Sequence, residues 1–120
     1  MEQKFSFENL KAWQCARELV KKVYKLLPKF PVEERFALCD QIRRAMISVP
    51  SNLAEGSGRM SKAEQRHFYE ISYGSLMEVY NQLILSVDLG YLTEDDIKPL
   101  KHDIWFTAKC ISNLRNSIQD

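Results

Sequence analysis

Apolar side chains recur at intervals of three and four residues along most of the chain, which is the spacing of one face of an α-helix. No segment alternates apolar and polar residues over the length of a β-strand. The pattern predicts four helices, at about residues 8–27, 32–56, 61–89 and 94–118. Because the connections between them are short, we expect an all-α fold: an antiparallel up-down-up-down four-helix bundle, built as one domain over residues 1–120.

Residues that start or stop helices mark the boundaries. Pro28 and Pro31 cannot both continue one helix, so the first helix should end before them. Ser61 followed by Glu64 forms a capping box, which predicts the start of the third helix. Thr93, followed by three acidic residues, predicts the start of the fourth.

The second and third predicted helices each contain residues that a helix does not favour. Pro50 lies inside the second helix, whose apolar stripe begins at Phe36. One helix kinked at Pro50 is preferred over two helices split at Val49, because the apolar spacing continues in phase across the proline. In the third helix, Gly74 and Ser75 predict a place where another backbone packs closely.

The charge of the chain is nearly balanced but unevenly distributed. The 120 residues carry a net charge of +1, too small to attract nucleic acid or a membrane over the whole surface. Residues 8–29 nevertheless hold six basic residues against two acidic ones. This segment either forms a solvated outer face or contacts RNA or DNA phosphates or an acidic partner. The lysines of this basic face are Lys11, Lys21, Lys22, Lys25 and Lys29.

Residues 43–59 combine charged residues with a helical apolar pattern. Glu78 in the third helix has apolar neighbours, and a buried carboxylate needs a partner. One hypothesis is therefore an ion pair between Glu78 and either Arg43 or Arg44. A solvent-facing Glu78 is the alternative.

A polar column follows in the same stretch, at steps of three and four residues. It consists of Asn52, Glu55 and Arg59, and the last two have the favourable i,i+4 orientation of an acid before a base. The column predicts a hydrogen-bonded cluster that ends the second helix. A functional patch at one end of the bundle is the alternative.

The sequence offers no catalytic residues, metal ligands, cofactor site or small-molecule site that we can identify. His67 and His102 lie in different predicted helices without a metal-ligand spacing. Cys15, Cys39 and Cys110 are far apart and sit among apolar residues, which predicts reduced thiols. Without a signal peptide pattern or a membrane-length apolar segment, we expect a cytoplasmic protein that is not an enzyme and does not contact membranes.

Several short strings occur together in a fixed order. They are Phe-Glu-Asn-Leu at 7–10, Gln-Ile-Arg-Arg-Ala at 41–45, Ser-Val-Pro-Ser-Asn-Leu-Ala-Glu-Gly at 48–56, and Gly-Ser-Leu at 74–76 followed by Glu78. This ordered set resembles the four-helix-bundle proteins encoded within intervening sequences of bacterial 23S ribosomal RNA genes. The resemblance covers about residues 7–118.

The resemblance implies a ring-forming protein, typically a homopentamer, whose precise role is unknown. Similar proteins serve diversity-generating retroelements as accessory variability proteins, and these are strongly basic and bind nucleic acid and the reverse transcriptase. The present chain differs from them because it is nearly neutral. We therefore expect a non-enzymatic homo-oligomer, with RNA or DNA binding through the basic face as the alternative function.

Overall fold

The structure, a computed structural model, describes residues 2–119. It contains four α-helices: α1 (Lys11–Tyr24), α2 (Leu38–Ser57), α3 (Lys62–Asp88) and α4 (Glu94–Ser117). No β-strand occurs within residues 2–119. The prediction of an all-α, four-helix protein is confirmed.

Two helices start at the predicted capping residues. The complete capping box forms at Thr93, whereas at Ser61 only the bond to the hydroxyl is present. The Ser61 hydroxyl accepts a hydrogen bond from the backbone N–H of Glu64 at 3.0 Å, which caps α3. At the start of α4, the Thr93 hydroxyl accepts from the Asp96 N–H and the Asp96 carboxylate accepts from the Thr93 N–H. Gly90, between these helices, has a φ of 83°, which favours glycine and ends α3 as expected.

The first helix is shorter than predicted at both ends. Ser6–Asn9 forms a separate 3-10 turn, because Leu10 is extended and interrupts the helix before Lys11. At the other end, Leu27–Lys29 forms a second 3-10 turn around Pro28. Proline has no backbone N–H to donate to the carbonyl four residues earlier, so a regular α-helix does not continue there.

The start of the second helix was predicted wrongly. Val32–Glu34 forms a 3-10 turn, and α2 begins only at Leu38, because the backbone of Ala37 is not helical. Phe36, expected on the apolar stripe, is instead 85% exposed. Farther along, α2 passes through Pro50 without a break, so the single helix is confirmed over two helices split at Val49. The kink at Pro50 stays a prediction.

The helices pack around one connected core. Extensive contacts join α1 to α2, α2 to α3, α3 to α4, and α4 back to α1. The largest fully buried apolar side chains come from every helix: Leu19 and Val23, then Ile42, Met46, Val49 and Leu53, then Leu76, Val79 and Leu83, and finally Ile111. This core places the outward faces of α2, α3 and α4 at the surface, where the candidate sites lie.

Candidate functional site

The polar residues of α2 were the first candidate, and the structure brings only part of them together. Arg43, Arg44, Asn52 and Glu55 line an open depression of about 600 Å³ on the surface of α2. Tyr24, Asp40, Ile47, Ser48 and Ser51 complete its lining. Glu78 and Arg59 lie outside this depression.

The proposed ion pair between α2 and Glu78 is not formed. Arg44 pairs with Asp40 at 3.3 Å, four residues earlier on the same helix. Arg43 donates a hydrogen bond to the carbonyl of Arg35 at 2.7 Å. Glu78 is exposed and accepts from the Gln82 side chain at 3.3 Å. The hypothesis is therefore wrong, because both arginines find local partners at the start of α2, and Glu78 faces solvent.

Of the predicted cluster of Asn52, Glu55 and Arg59, only the contact between Glu55 and Arg59 is present, and Asn52 bonds to Ser48 instead. Arg59 contacts Glu55 at 3.1 Å, and its guanidinium carbon lies 4.6 Å from the ring centre of Phe68 on α3. The carbonyl of Arg59 also accepts a hydrogen bond from the Gln65 side chain at 2.9 Å. Arg59 thus ties the end of α2 to the beginning of α3.

Asn52 takes part in a second polar link between the same helices. Its side-chain amide donates to the carbonyl and to the hydroxyl of Ser48, both at 2.8 Å. The Ser48 hydroxyl in turn lies 2.8 Å from the Ser75 hydroxyl on α3. Ser75 therefore marks a close approach of two helices, as predicted. The polar column of α2 acts mainly as a joint between helices.

The basic face of α1 is largely neutralised by acids of the same chain. Lys22 pairs with Asp103 at 2.7 Å, and Lys29 pairs with Asp96. The hydrogen bond from Lys29 holds the pKa of the Asp96 carboxyl below its usual value. Since these lysines already bind carboxylates of α4, they offer less positive charge to phosphate groups.

The remaining lysines of this face behave differently from one another. Lys21 pairs with Glu18 at 3.0 Å, and the ammonium of Lys11 lies 5.8 Å from the ring centre of Phe106. Lys25 forms no ion pair within the described part of the chain. Two lysines without an ion pair, Lys11 and Lys25, are a weak basis for a nucleic-acid interface, because binding strength rises with the number of phosphates neutralised.

Metal-binding side chains are not clustered in residues 2–119. No group of three or more His, Cys, Asp and Glu side chains there could hold a metal ion. His67 and His102 are exposed. Among the three cysteines, which are free, burial raises the pKa of the Cys15 and Cys39 thiols, which lowers their reactivity. No described helix combines the length and apolar character needed to cross a membrane.

A groove between α3 and α4 is the most distinctive surface of the molecule. It encloses about 580 Å³, and its walls carry Tyr73, Met77 and Tyr80 from α3 and Trp105 and Ala108 from α4. Two smaller depressions adjoin the groove at its two ends. One shares Tyr73 and Ser112 with it, and the other shares Tyr80, Lys98 and Lys101. Trp105 is 59% exposed, which is unusual for the largest apolar side chain.

Basic side chains surround this apolar groove. They are Lys98, Lys101, His102 and Lys109, all from α4. None of the three lysines forms an ion pair with another residue between 2 and 119. The ammonium of Lys109 lies 5.3 Å from the ring centre of Trp105. The groove is thus apolar at its base and positively charged at its edge.

Comparison with known proteins identifies the family. The model of the 23S rRNA-intervening sequence protein family matches residues 8–113. The chain belongs to this family. No curated protein matches the sequence significantly.

The string that carried the resemblance to the intervening sequence proteins has a structural explanation at Gly56. A Cβ atom at Gly56 would lie 2.8 Å from Cε1 of Tyr69 and 2.9 Å from Cβ of Phe68. Such distances are too short for ordinary contacts, so α2 and α3 approach as closely as they do only with glycine there. Gly74 was expected to play the same part and does not, since nothing lies within 4 Å of its Cβ position.

The groove of this intervening sequence protein was not identified from the sequence. Trp105 has the spacing of the apolar residues of the fourth helix, yet on a helical projection it lies beside the buried stripe of Ile104 and Ile111. The sequence feature that indicates an exposed Trp105 is its pair of neighbours on the helix, because Lys101 and Lys109 lie one turn before and after it. A tryptophan flanked by lysines on one helix face indicates an exposed binding surface more than a core position.

Proposed function

We propose that this intervening sequence protein is a non-enzymatic, self-associating interaction module of the cytoplasm, with a homopentamer as the expected assembly. The proposed subunit is an antiparallel up-down-up-down bundle. Ser72 of α3 contacts Val49 of α2, whereas Tyr69, earlier in α3, lies against Gly56, later in α2. These pairs support opposite directions for the two helices.

The observation that carries the proposal is the exposed apolar surface of α3 on both sides of its buried stripe. Its buried stripe includes Leu76, Val79 and Leu83. Exposed apolar side chains lie on both sides of that stripe: Ile71, Leu85 and Leu89 on one side, and Tyr73, Met77 and Ile84 on the other. A helix that packs on one core needs only a single apolar stripe. The six flanking side chains exceed that need, and the face between the two groups is polar, with Glu70, Glu78 and Asn81 exposed.

Self-association would cover this apolar surface without requiring another component. Exposed fractions of these six side chains run from 38% to 57%, so their burial against a neighbour would remove much apolar area from water. Contiguous exposed apolar surface is typical of protein–protein interfaces. A nearly neutral chain also favours association, since its copies repel each other little.

Light scattering coupled to size separation tests the proposal. We expect a single species of several copies, five in the proposed assembly, that persists on dilution to low micromolar concentration. A stable monomer across the whole concentration range would overturn the proposal. RNA added at low salt provides a second measurement: the proposal predicts no binding that weakens steeply as salt is raised, which is the signature of phosphate contacts.

A further inference from the structure

The groove between α3 and α4 has the properties of a receptor for a short acidic and apolar segment. Its base is apolar, with Met77 and Trp105 exposed to 38% and 59%. Lys98, Lys101 and Lys109 at its edge lack acidic partners within residues 2–119. An occupant that fits must therefore bring an apolar side chain and a carboxylate together.

The chain itself presents such a segment at its surface. Residues 32–36, called here the 32–36 turn, lie within the connection between α1 and α2. Phe36 is 85% exposed, more than any other aromatic side chain between residues 2 and 119, and Val32 is 69% exposed. Glu33 between them is exposed and forms no ion pair in the described structure. The 32–36 turn thus offers two apolar groups beside a free carboxylate.

Contacts at its base hold the 32–36 turn in place. The Tyr91 hydroxyl donates a hydrogen bond to the Glu34 carboxylate at 2.8 Å. The ring of Phe30, which is buried, lies 5.6 Å from the ring of Tyr91. Glu34 also accepts from the N–H of Leu38 at 3.3 Å. Since the base is fixed, little conformational freedom remains to be lost when Val32 and Phe36 are bound.

We propose that the 32–36 turn of one copy docks in the α3–α4 groove of a second copy. This inference rests on the self-association proposed above and names its interface. Phe36 would insert against Trp105 and Met77, and Glu33 would meet the lysines at the groove's edge. The two surfaces differ, so the contact is heterologous, and such contacts build rings when the rotation between copies closes.

The turn meets a neighbour's groove rather than its own. Tyr91, which holds the turn, precedes α4, whereas Trp105 lies eleven residues after the first residue of that helix, Glu94. At a rise of about 1.5 Å per residue, these eleven residues span roughly 16 Å along the helix axis. Phe36 of the same chain is 85% exposed and does not line this groove.

Complementation of two variants tests the interface. Phe36→Ser removes the inserted side chain and leaves the groove, and Trp105→Ser damages the groove and leaves the turn. Each variant alone should associate at least about tenfold more weakly than the unmodified chain, as expected for a central aromatic residue in an interface. Mixed in equal amounts, they should form one-to-one dimers, because the groove of the first still accepts the turn of the second. Circular dichroism should show native helix content in both.

Phe5→Ser provides the matched control, because Phe5 is also a highly exposed phenylalanine, at 76%, outside both surfaces. This variant should associate like the unmodified chain. If Phe36→Ser associates normally while the unmodified chain is an oligomer, the inference is overturned and self-association stands. If Trp105→Ser alone loses association, another segment fills the groove, and the inference also fails. A monomeric unmodified chain would remove both proposals.

Discussion

The two sides of α3 pack differently: the side toward α2 is closely packed, and the side toward α4 borders an open groove. Toward α2, Ser72 and Ser75 of α3 form hydrogen bonds, and Gly56 of α2 lets Phe68 and Tyr69 of α3 approach closely. Toward α4, α3 presents Tyr73, Met77 and Tyr80, which line an open groove instead of filling a closed interface. The first side is closed within one chain, whereas the second leaves apolar surface exposed to solvent. In the proposed assembly, one helix would therefore serve stability on one side and association on the other.

The largest expected difference between the two sides comes from truncating neighbouring residues of α3. Leu76 is fully buried, and Leu76→Ala should lower the free energy of unfolding by about 2–5 kcal/mol, since it leaves a cavity. Met77 is 38% exposed in the groove, and Met77→Ala should cost less than about 1 kcal/mol. Urea denaturation at one low protein concentration measures both, with light scattering following association in parallel. Equal losses for the two variants would mean that the groove side is part of the folding core.

The interior of the fold was largely predictable because local chemistry determines it. Ser61 and Thr93 cap helices through bonds to backbone groups three residues away, so short sequence patterns suffice to locate them. The first residue of α2 was harder to predict from the sequence. Phe36 has the right spacing for the apolar stripe, but the non-helical backbone of Ala37 removes it from the helix. Periodicity alone does not reveal such an interruption.

The candidate site was less predictable because it depends on distances between helices. Trp105 and Tyr73 are 32 positions apart, and the sequence does not say how wide a gap separates their helices. The sequence left two alternatives for Glu78 for the same reason. The ion pair with Arg43 or Arg44 across helices was wrong, because both arginines find partners within eight residues, and the solvent-facing Glu78 is observed. Local partners are preferred since they require no additional ordering of the chain.

Replacing Gly56 in α2 or Gly74 in α3 by alanine should change the free energy of unfolding in opposite directions. Gly56→Ala should lower the free energy of unfolding by about 1–3 kcal/mol, because its Cβ would collide with Phe68 and Tyr69. Gly74→Ala should raise it by up to about 1 kcal/mol, because alanine is the better helix former and the site is open. Thermal and urea denaturation check both. A Gly56→Ala variant as stable as the unmodified chain would show that α2 and α3 can move apart without cost.

The smallest expected effect isolates one hydrogen bond of the closed side. Ser72 is fully buried and donates to the carbonyl of Val49 at 2.8 Å, whereas Ser112 lines the groove and forms no hydrogen bond within residues 2–119. Replacing either serine by alanine gives the same gain in helix propensity, so the difference between Ser72→Ala and Ser112→Ala measures the bond and its burial. We expect Ser72→Ala to be less stable than Ser112→Ala by about 1 kcal/mol in urea denaturation. If the two variants were equally stable, the hydroxyl contacts of α3 with α2 would be incidental to its packing. The closed side would then owe its stability to close apolar contact alone, and the contrast with the groove would reduce to the distance between the helices.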